Sequence, residues 1–299
     1  MDTRPLLIIL NPTARRAAPL PNETVVRETV GDGADTRRIG EWISALDPRA
    51  VVAAGGDGTV HAVVSALMHL PQAARPPLGL LPFGTANNVA RSLGISDPAT
   101  AAVALRGEAT RPLDVGRANG VWFVGSCAAG MDAAILAARN RWRAQWRLGR
   151  TLSGYPLYLF ACATGLATHP AVAAELRLDD AAAVTRPVHN LLVLNTALYA
   201  GEFRFDTADH SADGRLDVHT FADARQYVRG FVTAWRRHLG KAVPPPPLQR
   251  VATLSARFAS PIPLQLDGEE AGNVELLEVD VLPAALRVLR APLRSSVEV

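Results

Sequence analysis

The fold is decided by residues 50–70, AVVAAGGDGTVHAVVSALMHL. A short apolar run, residues 51–54, ends abruptly in the turn Gly55-Gly56-Asp57-Gly58-Thr59. Beyond this turn the apolar residues recur at helical spacing, as Val60, Val63, Val64, Leu67 and Met68. The change of period predicts a buried strand, a glycine turn and a helix in direct succession.

The turn has the chemistry of a phosphate cradle. Its glycines let backbone amides approach a ligand closely, and the first N–H groups of the helix add partial positive charge. Asp57 is the exception, because a phosphate repels a carboxylate that has neither a cation nor a proton. We interpret Asp57 as a group that handles magnesium or the nucleophile. The alternative is a tight strand-to-helix turn in which Asp57 is the helix N-cap.

Composition excludes several classes of protein. The 299 residues carry 31 Lys and Arg and 28 Asp and Glu, a net charge of +3 that does not by itself indicate nucleic acid. Only Cys127 and Cys162 are present, without metal-ligand spacing, which predicts a reducing, cytoplasmic compartment. The apolar run at residues 6–10 stops at Asn11-Pro12, so we expect no secretory leader. Residues 151–174 lack charge but contain Gly and Pro, and predict a buried helix rather than a membrane span.

The N-terminal part predicts an α/β domain. Strands are expected at residues 5–10, 24–29 and 78–81, with helices at 35–46, at 89–93 and at 97–105. A second polar turn, Pro82-Phe83-Gly84-Thr85, follows the strand at residues 78–81. Alternating strands and helices predict a parallel sheet, whose two polar turns meet at the carboxyl ends of the strands.

From Arg111 onward the pattern changes to short strands. Only three segments have helical spacing, residues 133–146, 155–166 and 224–239. The predicted strands lie at residues 113–116, 121–126, 174–178, 191–195, 216–221, 250–256, 262–266, 276–282 and 287–289. This part is predicted to be a second, mainly antiparallel β domain.

Four motifs in order resemble the diacylglycerol kinase catalytic-domain family, and most closely its bacterial YegS-type lipid kinases. They are GGDGT at residues 55–59, LPFGTANNVARSLGI at 81–95, DGRLDV at 213–218 and LDGE at 266–269. NAD kinases and sphingosine kinases are similar around the first turn alone. The resemblance implies an ATP-binding catalytic domain at residues 1–110, a β-sandwich lipid domain at 111–299, and an active site in the cleft between them.

The resemblance also implies the site residues. Glu269 stands where the family has its proton acceptor, with Asp267 and Asp57 close by. The implied nucleotide site comprises Thr29, Gly55, Gly56, Asp57, Gly58, Thr59, Val60, His61, Ala62, Gly84, Thr85 and Asn87. Asp213 matches a family metal site that is completed by backbone carbonyls, here those of His210 and Arg215, although an ordinary Asp-Gly turn explains Asp213 as well. Asp114 and Asp132 match further family positions, where turn or packing roles remain open.

The resemblance implies transfer of the γ-phosphoryl group of ATP to a lipid hydroxyl, assisted by Mg²⁺. Three departures keep an alternative open: His61 and Ala62 replace the common Asn-Glu, and Asn88 replaces a common Asp. The alternative is a catalytically weakened lipid- or nucleotide-binding protein, with an NAD kinase or sphingoid-base kinase as further rivals.

A basic, aromatic segment predicts where the protein meets its lipid. Its members are Arg139, Arg141, Trp142, Arg143, Trp146, Arg147 and Arg150. On a helix, five of its members recur at intervals of three or four residues: Arg139, Trp142, Arg143, Trp146 and Arg150. This spacing would suit an anionic membrane surface, although the two tryptophans would equally suit inward packing. The expected partners are therefore ATP and a lipid at the inner membrane surface, and not nucleic acid. No protein partner is evident, and a homodimer is left open.

Overall fold

The computed structural model describes residues 3–13, 24–31, 33–145, 155–206, 210–244 and 246–291. Two compact units divide the chain. The first comprises Met1–Val115, Ser211–Asp213 and Leu282–Val299, and the second comprises Gly116–His210 and Gly214–Val281. The first unit therefore continues past residue 110 and takes in two later segments. One physical reason is a parallel pairing of Val288 with Leu78, which returns the end of the chain to the first sheet.

The first unit is built on a parallel sheet. Its strands are β1 (Leu6–Leu10), β2 (Thr24–Glu28), β3 (Ala50–Gly55) and β4 (Leu78–Pro82), and its helices are α1 (Asp35–Leu46), α2 (Asp57–Met68), α3 (Asn88–Ser92) and α4 (Pro98–Arg106). The strand order is β2-β1-β3-β4. Every residue of β3 and β4 is buried, as expected for strands covered on both faces. The predicted α/β sheet is confirmed.

Strand order marks one place in this sheet for a ligand. The chain moves outward from β1 in opposite directions, to β2 on one side and to β3 on the other. The loops after β1 and β3 therefore diverge at the carboxyl ends of adjacent strands. Such a switch point is where open α/β sheets bind their ligands.

The second unit is mainly antiparallel. Its strands are β6 (Val121–Phe123), β7 (Ser126–Gly130), β8 (Val172–Leu178), β9 (Val184–Val188), β10 (Asn190–Leu194), β11 (Leu198–Tyr199), β12 (Phe203–Arg204), β13 (Leu216–Phe221), β14 (Gln249–Val251) and β15 (Thr253–Leu266). Two further strands, β5 (Thr110–Ala118) and β16 (Glu269–Leu289), have residues in both units. The path of strands runs β14-β13-β10-β7-β15-β16, with β8 pairing with β15 and β9. The predicted antiparallel strands of the C-terminal part are confirmed.

Strand prediction erred where a strand is irregular. The predicted strands at residues 262–266, 276–282 and 287–289 belong to just two long strands, β15 and β16. Their pairing shifts register between Arg257 and Ile262 and again between Pro263 and Gln265. Bulges of this kind accommodate Pro within a strand, which a sequence pattern interprets as a break.

Three helices accompany the second unit, and each matches a predicted helix closely. They are α5 (Met131–Gln145), α6 (Tyr155–Thr168) and α7 (Ala224–His238). Asp223 caps α7 by accepting a hydrogen bond from the Gln226 backbone N–H, at 2.8 Å. Among the described residues, no helix is both long and apolar enough to cross a membrane.

Candidate active site

The glycine turn lies at the switch point of the first sheet. The Asn11 backbone N–H donates to the Ala54 carbonyl at 3.0 Å, which ties the loop after β1 to the end of β3. A Cβ atom on Gly55 would overlap the Thr59 Oγ1 atom and would lie 3.2 Å from the Asn11 Cβ atom. Position 55 therefore excludes any side chain, because the chain turns there directly into α2.

The two motifs of the first unit form one interlocked structure. The backbone N–H groups of Phe83 and Gly84 both donate to the Gly55 carbonyl, at 3.0 and 3.1 Å. Asn87, at φ +49°, forms two hydrogen bonds with Gly84. Its side-chain oxygen accepts from the Gly84 N–H, and its side-chain nitrogen donates to the Gly84 carbonyl. A Cβ atom on Gly84 would overlap the Cα atom of Gly56. The expectation that both polar turns meet at one sheet edge is confirmed.

The start of α2 offers backbone donors. Gly56 is the N-cap, and no side chain caps this end within the described part of the chain. The amides of Thr59 and Val60 already donate to the Gly56 carbonyl. The first turn of the helix therefore presents its partial positive charge beside the exposed Gly58, as an anion site requires.

Asp57 does not cap its own helix, which corrects the alternative interpretation of the turn. Its carboxylate accepts from the backbone N–H groups of Asn88 and Val89, at 3.1 and 3.2 Å, and so caps α3 instead. The Asn88 side-chain amide adds a third bond to Asp57 Oδ2, at 3.2 Å. Asp57 Oδ2 accepts two of these bonds and Oδ1 accepts one, so both carboxylate oxygens are oriented by the α3 segment.

Asn88 is the partner that sequence reasoning missed. The sequence marked it only as a replacement for a common Asp. Its amide gives Asp57 a neutral donor at the position where a second carboxylate would repel it. The signal was the capping preference of Asn near a helix start, in the same motif as Gly84.

The other predicted nucleotide residues surround this turn. Thr29 follows β2, and its backbone N–H donates to the Leu10 carbonyl at 2.9 Å, which places it at the carboxyl end of β1. His61 and Ala62 lie half-buried in the first turns of α2, whereas Thr85 is exposed in the second loop.

The predicted proton acceptor lies on a tight hairpin of the second unit. Leu266 pairs with Glu269, so only Asp267 and Gly268 form the turn between β15 and β16. Both have positive φ, +50° and +86°, as a two-residue hairpin turn requires. Glu269 is exposed immediately after this turn. Its carboxylate is therefore accessible to a substrate hydroxyl.

Asp267 anchors this turn. Its carboxylate accepts from three consecutive backbone N–H groups, those of Val124, Gly125 and Ser126, at 2.9, 2.7 and 2.9 Å. Its own N–H donates to the Ser126 carbonyl at 2.8 Å. Because these bonds occupy the carboxylate, they favour a positioning role for Asp267 over the predicted catalytic one.

A buried hydrogen-bond network leads from the hairpin to Asp132. Gln265 accepts from the Gly268 N–H at 2.7 Å and donates to the Tyr199 hydroxyl at 3.1 Å. Tyr199 bonds in turn to Asp132, which also accepts from Tyr227 at 2.5 Å and from Asn190 at 2.8 Å. Burial raises the pKa of Asp132 to about 6, although these hydrogen bonds lower it. The packing interpretation of Asp132 therefore explains its contacts.

The segment just before Asp213 and the side chains of His210 and Arg215 contact different parts of the chain. Ser211, two residues before Asp213, accepts at its carbonyl from the Asp114 N–H at 2.7 Å. Asp114 is buried and accepts from the Ala284 N–H at 2.7 Å. The side chains of His210 and Arg215 instead contact Asp206, at 3.4 Å, and Asp179, at 3.5 Å.

The carboxylates in these segments suit a magnesium site with one or two protein ligands, and do not suit a site formed entirely by side chains. In the described ranges no group of three or more His, Cys, Asp or Glu could hold a metal ion. Magnesium commonly takes one or two carboxylates and completes its shell with water and substrate phosphates. Asp57 and Asp213 are therefore suitable single carboxylate ligands.

The basic segment is only partly described. Residues 146–150, and with them Trp146, Arg147 and Arg150, lie outside the described residues, as does the side chain of Arg143. Trp142 packs with Phe160 at a ring-centroid distance of 5.0 Å and lies against an apolar core cluster. For Trp142, inward packing is therefore the better interpretation.

The sequence is similar to those of known lipid kinases over different lengths. A model of the diacylglycerol kinase catalytic domain matches residues 5–118. A protein of Pseudomonas aeruginosa named "Probable lipid kinase YegS-like" is 40% identical over 115 residues, 38% of this chain and 37% of that protein. The match thus spans little more than a third of that relative.

A second relative is matched over most of its length. The diacylglycerol kinase of Mycobacterium tuberculosis is 32% identical over 281 residues, which cover 89% of this chain and 84% of that protein. The crystal structure of a diacylglycerol kinase from Bacillus anthracis has a TM-score of 0.72 at 20% identity and covers 97% of each chain, which confirms the fold. The chain therefore belongs to the diacylglycerol kinase family.

Proposed function

We propose that the protein transfers the γ-phosphoryl group of ATP to the hydroxyl of a lipid such as diacylglycerol or phosphatidylglycerol. The observation that carries this proposal is the interlocked glycine structure at the switch point, where Gly55 and Gly84 leave no room for side chains and a Cβ atom on Gly56 would lie only 3.3 Å from the Gly84 Cα atom. Backbone amides there can surround phosphate oxygens at close range.

Asp57 and Glu269 have different roles in this proposal. Asp57 accepts from three N–H donors next to the phosphate loop, where it orients a Mg²⁺ ion or the nucleophile. Glu269 is exposed immediately after a two-residue turn and accepts the proton of the lipid hydroxyl. Magnesium, when bound, neutralises charge on the phosphates.

One observation favours a second candidate, a nucleotide-binding protein with weakened catalysis. The Asn88 amide already donates to Asp57 at 3.2 Å, where a second carboxylate would have added a magnesium ligand. This candidate binds ATP without transferring phosphate.

The deciding experiment measures transfer of radiolabelled γ-phosphate from ATP and Mg²⁺ to diacylglycerol, phosphatidylglycerol, a sphingoid base and NAD. We expect a labelled lipid, and a loss of turnover by about a hundredfold or more in both Asp57→Asn and Glu269→Gln. Glu275→Gln is the matched control, because Glu275 is exposed on the same strand as Glu269. Calorimetry measures ATP binding in parallel. Binding without transfer to any acceptor would favour the second candidate, and a labelled NAD would identify an NAD kinase.

A further inference from the structure

Helix α7 carries an apolar stripe that is about half exposed, beside its buried face. Its inner face is buried through Tyr227, Gly230, Phe231 and Ala234. On another face Val228, Val232 and Trp235 are exposed by 42%, 48% and 44%, and Leu239 at the C-cap is exposed by 53%. Their spacing of i, i+4, i+7 and i+11 keeps all four within about 60° of one another around the helix axis.

Positive charge borders this stripe on one side. Arg225, Arg229 and Arg236 are exposed and follow the same helical spacing, on the flank opposite the buried face. No ion pair joins them to any other residue that the structure describes. The sequence contains no Asp or Glu between Ala224 and Leu266, so the surrounding segment does not neutralise them.

We propose that the outer face of α7 docks on the surface of an anionic lipid bilayer. Apolar side chains in a stripe insert at the boundary between headgroups and acyl chains, and flanking arginines reach the lipid phosphates while their stems remain in apolar surroundings. Trp235 is of the residue type that prefers this interface. A two-fold contact with a second copy in antiparallel orientation would instead bring the two arginine rows together, without acidic residues on the helix to pair with them.

The inference rests on the proposed function only in that a lipid kinase needs access to its substrate. It differs from the prediction for residues 139–150, because it concerns another helix. Its test is independent of catalysis, since binding to vesicles needs neither ATP nor turnover.

The test compares two variants with matched controls in vesicle flotation. The first variant, Val232→Gln with Trp235→Gln, removes the centre of the stripe, and Gln has a higher helix propensity than either residue. The second, Arg225→Gln with Arg229→Gln and Arg236→Gln, removes the charge. The control for the first is Val103→Gln, on α4 and 46% exposed. The control for the second changes the exposed Arg106, Arg177 and Arg257 to Gln, with the same loss of net charge.

We expect wild type to bind vesicles of phosphatidylglycerol and phosphatidylcholine and to bind pure phosphatidylcholine weakly. Both α7 variants should lose binding to the mixed vesicles by about tenfold, and both controls by less than about twofold. Equal binding by variants and controls would overturn the proposal. So would a dimer in sedimentation analysis that only the α7 variants abolish. Turnover of a short-chain diacylglycerol in solution should be unchanged in the α7 variants, and its absence in wild type would contradict the proposed function alone.

Discussion

The glycine turn of the first unit and the Asp-Gly hairpin of the second both hold an aspartate against consecutive backbone N–H groups. Asp57 accepts two such bonds at the start of α3 and a third from the Asn88 side chain. Asp267 accepts from three consecutive backbone N–H groups, those of residues 124–126. One of these three donors to Asp57 is a replaceable side chain, whereas these three donors to Asp267 are backbone groups that a substitution does not remove. Two aspartates that look equally catalytic in a motif are therefore held by different kinds of donor.

The largest effect should come from Asp267. Asp267→Ala leaves three backbone donors without their charged acceptor and places Ala at φ +50°, so we expect the free energy of unfolding to fall by about 4 kcal/mol. Asp267→Asn tolerates this φ and should lose about 2 kcal/mol. Urea unfolding measures both, with the exposed Asp180→Asn as control. Wild-type stability in Asp267→Asn would refute the anchoring role.

A third carboxylate, Asp132, extends the comparison to pH. Its folded pKa of about 6 lies above the ordinary value of 3.8, so the protonated form stabilises the fold. This contribution is complete below the ordinary value and is lost as the pH rises through about 6. Between about pH 4 and 7 the unfolding free energy of wild type should fall by about 3 kcal/mol relative to Asp132→Asn, whose amide can keep the contacts with Tyr227 and Asn190.

Subtracting the unfolding free energy of Asp132→Asn from that of wild type at each pH isolates the contribution of Asp132. Burial lowers the pKa of His219 to about 4, which adds stability of the opposite pH dependence, lost as the pH falls. This contribution is present in both proteins and cancels when they are compared by urea unfolding at each pH. Parallel curves for the two proteins would show that Asp132 has the same protonation in the folded and unfolded chains.

Gly84→Ala tests whether the first region depends on close backbone approach. The new Cβ atom would overlap the Cα atom of Gly56, and we expect a loss of about 2 kcal/mol together with weaker ATP binding. Gly40→Ala, within α1 of the same unit, has open space and should instead stabilise by about 1 kcal/mol. Thermal unfolding and calorimetry measure the two effects. If Gly84→Ala matched Gly40→Ala, the two loops would not be interlocked.

The smallest effect concerns Asn88. Asn88→Asp replaces the donor to Asp57 with a second carboxylate, so stability should fall by about 1 kcal/mol without metal. Millimolar Mg²⁺ should restore this loss, because paired carboxylates favour the cation. Asn88→Ala, which loses the same bond without adding charge, should not respond to Mg²⁺. Equal thermal shifts in the two variants would exclude Asp57 as a metal ligand.

Local sequence patterns predicted most helices and strands. They failed where contacts between distant residues determine the length of a strand or the partner of a side chain. The bounds of β3, α2 and α7 follow from periodicity and capping residues, which act over a few neighbouring positions. The length of β16 does not follow from periodicity, because pairing with β15 extends the strand past positions that interrupt the alternating pattern. The role of Asp57 as the cap of α3 was equally invisible, since its partners lie 31 and 32 residues away.

The sequence by itself determined the α/β sheet, the glycine turn and the family, because each depends on a contiguous run of residue types. Tertiary structure alone decided that Asp57 is shared with Asn88, that Asp267 anchors its hairpin and that Asp132 is buried in a network. It also decided which face of α7 remains uncovered. The physical reason is that a carboxylate's chemistry and a helix face's exposure depend on groups that only folding brings near.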